Sequence, residues 1–283
     1  MRWKGARQSD NFKDSRGSRG GKIALGGIGS LIVLVIAFLT GDPSQLFQQL
    51  EGVGQTTNAP VELTAEEESL TEFSRVVLAS TEDVWNRLYQ QSGNQYVPST
   101  LHVYSGGVQT GGCGYGSATF GPFYCPGDQM VYLDLSFNKE LQDRFGAQGE
   151  FALAYVIAHE IGHHVQYQQG VLQEVQGLRG KISEAQFNKR MVQLELQADF
   201  YAGIWAHYAN KWSEVQLEYD DIIHGMEAAA AVGDDKLQME SQGYVVPEKF
   251  THGTSAQRKF WFKKGYDTGD LSLGDTFNDP SLR

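Results

Sequence analysis

The chain has only two cysteines in 283 residues, and they do not form a Cys-x-x-Cys pair, which argues against a cysteine-based metal site. Basic charge is also scarce. Against 34 Asp and Glu stand 23 Lys and Arg, for a formal net charge of -11. Residues 1–22 carry seven Lys or Arg against Asp10 and Asp14, a balance of +5 that leaves -16 for the remainder. So acidic a body argues against nucleic acid as a partner. No internal repeat appears. With 41% hydrophobic residues, the chain can bury one sizeable core.

Charge is missing altogether from residues 23–41, which as a helix would extend about 28 Å, close to the thickness of a bilayer core. The run predicts a single transmembrane helix. Lys and Arg ahead of it place that end in the cytoplasm and send the rest outward. The alternative is a cleaved signal peptide, because residues 31–39 form a short apolar block of h-region length, although no convincing Ala-x-Ala site follows. Nor does a cysteine follow that could carry a lipid. Residues 42–62 are polar, with Pro43, Gly52 and Gly54, and read as a tether. The resulting division is a basic cytoplasmic tail at 1–22, an anchor at 23–41, a linker at 42–62, a folded domain at 63–270 and a C-terminal tail at 271–283. Cys113 and Cys125 lie close together among turn residues in the exported part. They are read as one disulfide, with two free thiols as the alternative.

Thr64 followed by Glu66, Glu67 and Glu68 has the form of a helix start, and apolar positions continue at helical spacing through Leu88 toward Gly93. Residues 101–104 and 130–135 have β character, the second alternating Val131, Leu133 and Leu135 with Tyr132, Asp134 and Ser136. Residues 119–135 form either an ordinary hairpin or a strand that receives a peptide as an added strand. Ser183 with Gln186 has the capping-box pattern, and Met191, Leu194, Ala198, Ala202 and Trp205 then mark a second long helix.

Residues 151–166, FALAYVIAHEIGHHVQ, set His159 and His163 one helical turn apart with Glu160 beside the first. Positions four apart differ by about 40° around a helix, so both imidazoles leave one face and can reach one ion. The pattern fits Zn²⁺, with Glu160 able to take the proton of a water on the metal. Phe151, Ala154, Tyr155, Ile157 and Ala158 put the motif on a buried helix that Gly170 ends. A metzincin would continue with glycine and a third histidine where this chain has Gln166 and Gln169, so that class is excluded. His164 turns about 100° from His163 and is read as an outer or surface group rather than a ligand.

Beyond the motif, Glu195 and Asp199 stand four apart on the second long helix. A catalytic zinc takes three protein ligands and keeps one position open, and Glu195 completes a His₂Glu set. Asp199 would then accept the Nδ1 hydrogen of a ligating histidine. The alternatives are the reverse assignment, with Asp199 as the ligand, and a solvated carboxylate pair. The longer side chain of Glu195 favours it as the ligand.

The strings GPFYCPGDQMVYLDLSF, AYVIAHEIGHHVQ, LELQADFYAG, VGDDKLQ and THGTSAQRKFWF make the chain resemble the bacterial neutral zinc metallopeptidase family over residues 63–270. The resemblance implies an N-terminal anchor with an exported catalytic domain. It also implies a gluzincin-like site in which His159, His163 and Glu195 hold one Zn²⁺ per chain, Glu160 acts as base, and Cys113 and Cys125 are paired. Two positions depart from the pattern. Phe200 stands where similar sequences carry cysteine, and the segment after Asp270 lacks another. Thr251-His252 with Arg258 also resembles the Thr-His-Pro to Arg element of membrane-associated gluzincins, with Gly253 in place of proline. A histidine there would donate to a tetrahedral oxyanion. The alternative is a residue at the start of a helix capped by Thr254 and Ser255. His102, His207 and His224 are read as structural.

The expectation is therefore an α+β zincin-like fold: a small, mostly antiparallel sheet beside the motif helix, long helices contributing Glu195 across a cleft, and a transmembrane helix ahead of them. The expected activity is hydrolysis of peptide bonds in envelope or extracytoplasmic proteins at the bacterial cytoplasmic membrane. A zinc-binding envelope scaffold of the same fold is the competing expectation, and the intact Glu160 counts against it. An esterase or amidase would use the same zinc chemistry.

Overall fold

The computed structural model describes residues 1–16, 63–143 and 150–282. The expected anchor at 23–41 and linker at 42–62 lie outside these residues, as do positions 17–22 of the expected tail. Among the described residues no helix is long and apolar enough to cross a membrane.

The strands are β1 (Phe12–Asp14), β2 (Thr100–Tyr104), β3 (Gly107–Gln109), β4 (Tyr115–Ser117), β5 (Phe123–Cys125) and β6 (Met130–Asp134). The main sheet has the order β1-β2-β6-β5, and β3 with β4 makes a separate two-stranded ribbon. Pairs β1–β2 and β2–β6 are parallel and only β5–β6 is antiparallel, which corrects the expectation of a mostly antiparallel sheet. Alternation along a strand reports which face is buried, not the direction of its neighbour. The strand directions follow from the long connections, since parallel neighbours need a crossover and β3 to β5 lie between β2 and β6 in sequence. In β2 and β6, four of five residues are buried, as strands covered on both faces require.

Thr64 caps the first long helix, α1 (Ala65–Gln91), through a capping box with Glu67, and three glutamates stand at the positive end of its dipole. Then come α2 (Phe137–Asp143), the motif helix α3 (Phe151–Gln168), α4 (Val171–Gln176), α5 (Glu184–Trp212), α6 (Tyr219–Ala231), α7 (Asp234–Gln242) and α8 (Ser255–Thr268). Ser183 and Gln186 form the expected capping box of α5. Helix α3 is buried almost all round from Phe151 to Gln166, so it runs through the core rather than over it. Trp205 of α5 stacks on Phe151 of α3 at 5.8 Å and donates its indole N–H to Ser80 Oγ of α1 at 2.9 Å. Helices α5 and α8 cross backbone to backbone: a Cβ on Gly203 would lie 2.1 Å from the Phe262 carbonyl oxygen, and one on Gly265 would lie 2.1 Å from that of Phe200. Phe200 itself is fully buried and edge-on to Trp261 at 6.1 Å, so it fills its position by packing. Cys113 and Cys125 form a disulfide, which ties the turn after β3 to β5.

Both ends of the chain pack on the body in their described parts. Residues after 270 return to α5, where Gln197 donates to the Gly274 carbonyl at 3.0 Å, Thr276 donates to that of Gln193 at 2.6 Å, and Leu282 is buried. At the other end Trp3 is buried, meets Phe73 of α1 edge-on at 5.3 Å, and donates its indole N–H to Glu150 at 2.7 Å. Arg7 binds Asp83 at 2.7 Å and Glu82 at 3.2 Å, and Arg16 donates to Thr71 of α1 at 2.7 Å. A strand of three residues gives almost no periodic signal, so composition alone made this segment look like a free basic arm.

Candidate active site

Gly162 lets α3 and α5 approach closely, since a Cβ there would lie 3.0 Å from the Ala198 carbonyl oxygen. The face of α3 that carries His159 and His163 therefore meets the face of α5 that carries Glu195. One ligand atom from each of these three buried or nearly buried residues lies within 4.8 Å of the others. His159 Nε2 is 3.1 Å from one oxygen of Glu195, and His163 Nε2 is 3.5 Å from the other. The two rings stand nearly perpendicular, 4.8 Å apart.

The far side of each ring is also fixed. A carboxylate only accepts, so His159 Nδ1–H donates to Asp199 Oδ1 at 2.9 Å. His163 Nδ1–H donates to the amide oxygen of Gln166 at 2.9 Å, and the Gln166 amide donates in turn to the Leu194 carbonyl at 2.7 Å. Both histidines thus present Nε2 toward Glu195. The donor set suits a resident Zn²⁺: two imidazole nitrogens with their outer N–H groups anchored, and one carboxylate that faces both Nε2 atoms. Burial lowers the His159 pKa, but the charge and hydrogen bond of Asp199, together with Glu195, outweigh it and raise it to about 9. Burial pushes the Glu195 carboxyl up, and the charge of His163 with the hydrogen bonds of both histidines brings it well below its ordinary value. Asp199 faces Nδ1, the side away from Glu195, which is the arrangement expected of the partner and not of the ligand.

Asp199 has further partners. Arg258 of α8 donates to its two oxygens at 2.8 and 3.0 Å, and the Tyr155 hydroxyl donates to Oδ1. Asp199 is fully buried; burial raises its pKa, and the charge of Arg258, followed by that of His159, overcomes this and lowers it. Glu160 lies on α3 next to His159 and is buried.

His252 stands two residues ahead of Thr254, the true cap of α8. One oxygen of Asp234 accepts the backbone N–H groups of Thr251, His252 and Gly253 at 2.8, 2.6 and 2.9 Å, and the other lies 3.3 Å from His252 Nδ1. Burial lowers the His252 pKa, but the Asp234 charge and hydrogen bond outweigh it and raise it, and Glu195 adds to the rise.

The remaining histidines lie elsewhere. His164 is fully buried, its Nε2–H donating to the Val97 carbonyl at 2.7 Å while its Nδ1 accepts from the Tyr124 hydroxyl of β5 at 3.0 Å. It joins the edge strand to the motif helix, which corrects its reading as an outer or surface group. His102 is buried against Ser15 at 2.8 Å, and His207 Nδ1 donates to the Tyr266 carbonyl at 2.6 Å. Sequence reasoning missed Tyr155, Gln166, Asp234 and the role of Arg258. Asp234 sits in the quoted string VGDDKLQ, a signal that carried no role without its contact to residues 251–253.

In this α+β body the buried His-Glu-x-x-His helix meets a carboxylate from a second helix, and the three side chains form a group that could hold a metal ion. The chain belongs to the family described as putative neutral zinc metallopeptidase, whose model matches residues 1–277. It is 42% identical over 291 residues to the Escherichia coli (strain K12) "Uncharacterized protein YpfJ", covering 98% of this chain and 99% of that one. It is also 43% identical over 213 residues to the Mycobacterium tuberculosis (strain ATCC 25618 / H37Rv) "Uncharacterized protein Rv2575", covering 72% of this chain and 69% of that one. No solved structure matches the chain.

Proposed function

We propose that the protein is a zinc-dependent endopeptidase acting on peptide bonds of extracytoplasmic proteins. The observation that carries this reading is the convergence of His159, His163 and Glu195 with Glu160 beside them on the same helix. A Zn²⁺ held by those three residues would supply a Lewis acid for the scissile carbonyl and lower the pKa of a water. Glu160 takes the proton of the attacking water and returns it to the leaving amine. Asp199 and Gln166 hold the ligand rings in register. His252, whose pKa Asp234 raises, donates a hydrogen bond to the oxyanion. The edge strand β5, tied to α3 through Tyr124 and His164, is the natural place for a peptide to add as a further strand. The disulfide favours an oxidising compartment, which supports an extracytoplasmic location at the cytoplasmic membrane.

Metal analysis tests the ligand set. Purified protein is expected to contain about one zinc per chain. Glu195→Ala is expected to lose it, and Asp199→Ala to weaken binding by about 10- to 100-fold. Full occupancy in Glu195→Ala would remove the third ligand from the reading.

The oxyanion role of His252 has its own signature. His252→Ala should lower kcat by about 100-fold with little change in KM, because the bond forms mainly in the transition state. Asp234→Asn should act through pH. Since Asp234 raises the His252 pKa, the imidazolium persists to higher pH in the wild type. Without that charge, the alkaline limb of kcat should move to lower pH. An unmoved limb would assign Asp234 to loop structure alone.

A further inference from the structure

Residues 1–16 are bound to the body along their whole length. Strand β1 pairs with β2 in register, Phe12 to Leu101, Lys13 to His102 and Asp14 to Val103. Ahead of it, Ser9 and Asn11 donate to Glu82 of α1, the second at 2.8 Å, and the Ser9 amide donates to the Arg75 carbonyl at 3.1 Å. Trp3 is buried in the main core beside Phe73, and Arg2 pairs with Gln216 through two backbone hydrogen bonds. Three of the seven basic side chains of this end are engaged with carboxylates: Arg2 with Glu218, Arg7 with Glu82 and Asp83, and Arg16 with Asp14.

This packing sets a condition on any membrane topology. Neighbouring strands are about 5 Å apart, whereas a hydrocarbon core is about 30 Å thick, so β1 cannot be on one side of a bilayer and β2 on the other. The two ends of the intervening segment also leave the body together. Arg16 holds Thr71, which lies only about 10 Å along α1 from its cap at Thr64. A return crossing would need a second run of about 20 apolar residues, and residues 42–62 are polar. We infer that the start of the chain and the body that carries the candidate site stand on the same side of the membrane.

The test uses the full chain in bacterial cells, with one exposed position in each part changed to cysteine: Gln8→Cys and, on α5, Lys189→Cys. The native cysteines are paired and do not compete. A membrane-impermeant maleimide is applied to spheroplasts, and permeabilised cells give the full reactivity of each site. The same outcome at both positions, labelled or protected together, is expected. Protection at residue 8 with labelling at residue 189 would overturn the inference. A second measurement addresses the packing directly in detergent-extracted protein. Trp3→Ala should lower Tm by at least about 5 °C, through loss of a buried aromatic side chain. An unchanged Tm would show residue 3 to be free of the body and would also overturn it.

Discussion

Glu160→Gln is expected to leave zinc content and thermal stability near wild type while peptide hydrolysis falls by at least about 100-fold. Glutamine keeps the size of the side chain and an acceptor oxygen, but it cannot take a proton from water. The metal ligands are untouched, because His159 and His163 are held from behind by Asp199 and Gln166 and not by residue 160. The measurement is zinc content, melting and turnover on the same preparation. This change separates the peptidase from a scaffold that keeps only the metal. If a zinc-loaded, folded wild type cleaves no peptide or envelope protein in a broad screen, and Glu160→Gln has no effect in cells, the scaffold replaces the enzyme.

Arg258→Met is expected to destabilise the protein by about 3–5 kcal/mol and to weaken zinc binding by about 10- to 100-fold. Asp199 has no access to solvent, and its charge is balanced chiefly by the two hydrogen bonds of the guanidinium. Removing the cation leaves that carboxylate buried with only Tyr155 and His159 as partners. It must then either stay charged at a cost to folding or take up a proton, in which case it no longer holds the His159 ring as a charged acceptor. Chemical denaturation and zinc titration report the two consequences separately. The double change Arg258→Met with Asp199→Asn should recover part of the stability, since neither charge is then left alone, without restoring zinc affinity. A loss below about 1 kcal/mol in the single variant would show that water or another group reaches Asp199.

The grouping of His159, His163 and Glu195 was legible because its parts lie on two helices with strong periodicity. His159 and His163 share a face by the 3.6-residue turn, and so do Glu195 and Asp199. The capping boxes at Thr64 and Ser183 fixed two of the helix starts in the same way. What could not be read depends on contacts between distant segments. Arg258 reaches Asp199 across 59 positions, and Asp234 reaches residues 251–253 across an intervening helix and turn. The parallel sheet was hidden for a related reason: strand direction is set by connections, and the connection from β2 to β6 runs through a glycine-rich stretch with little pattern. Trp3 and Arg7 carried no periodic signal, so the packing of the chain start appeared only once β2 and α1 were in place beside it.

The bond between Tyr124 of β5 and His164 of α3 has a dynamic consequence. A short strand at a sheet edge ordinarily frays, and its amides exchange with solvent at a rate set by local opening. Here the strand has its last residue in a disulfide and its middle side chain anchored on the residue that follows His163, a candidate ligand. Opening β5 therefore means disturbing α3, a helix buried almost all round. Its amide exchange should follow the slow, cooperative opening of the motif helix, and Tyr124→Phe should release it to local fraying while α3 stays protected.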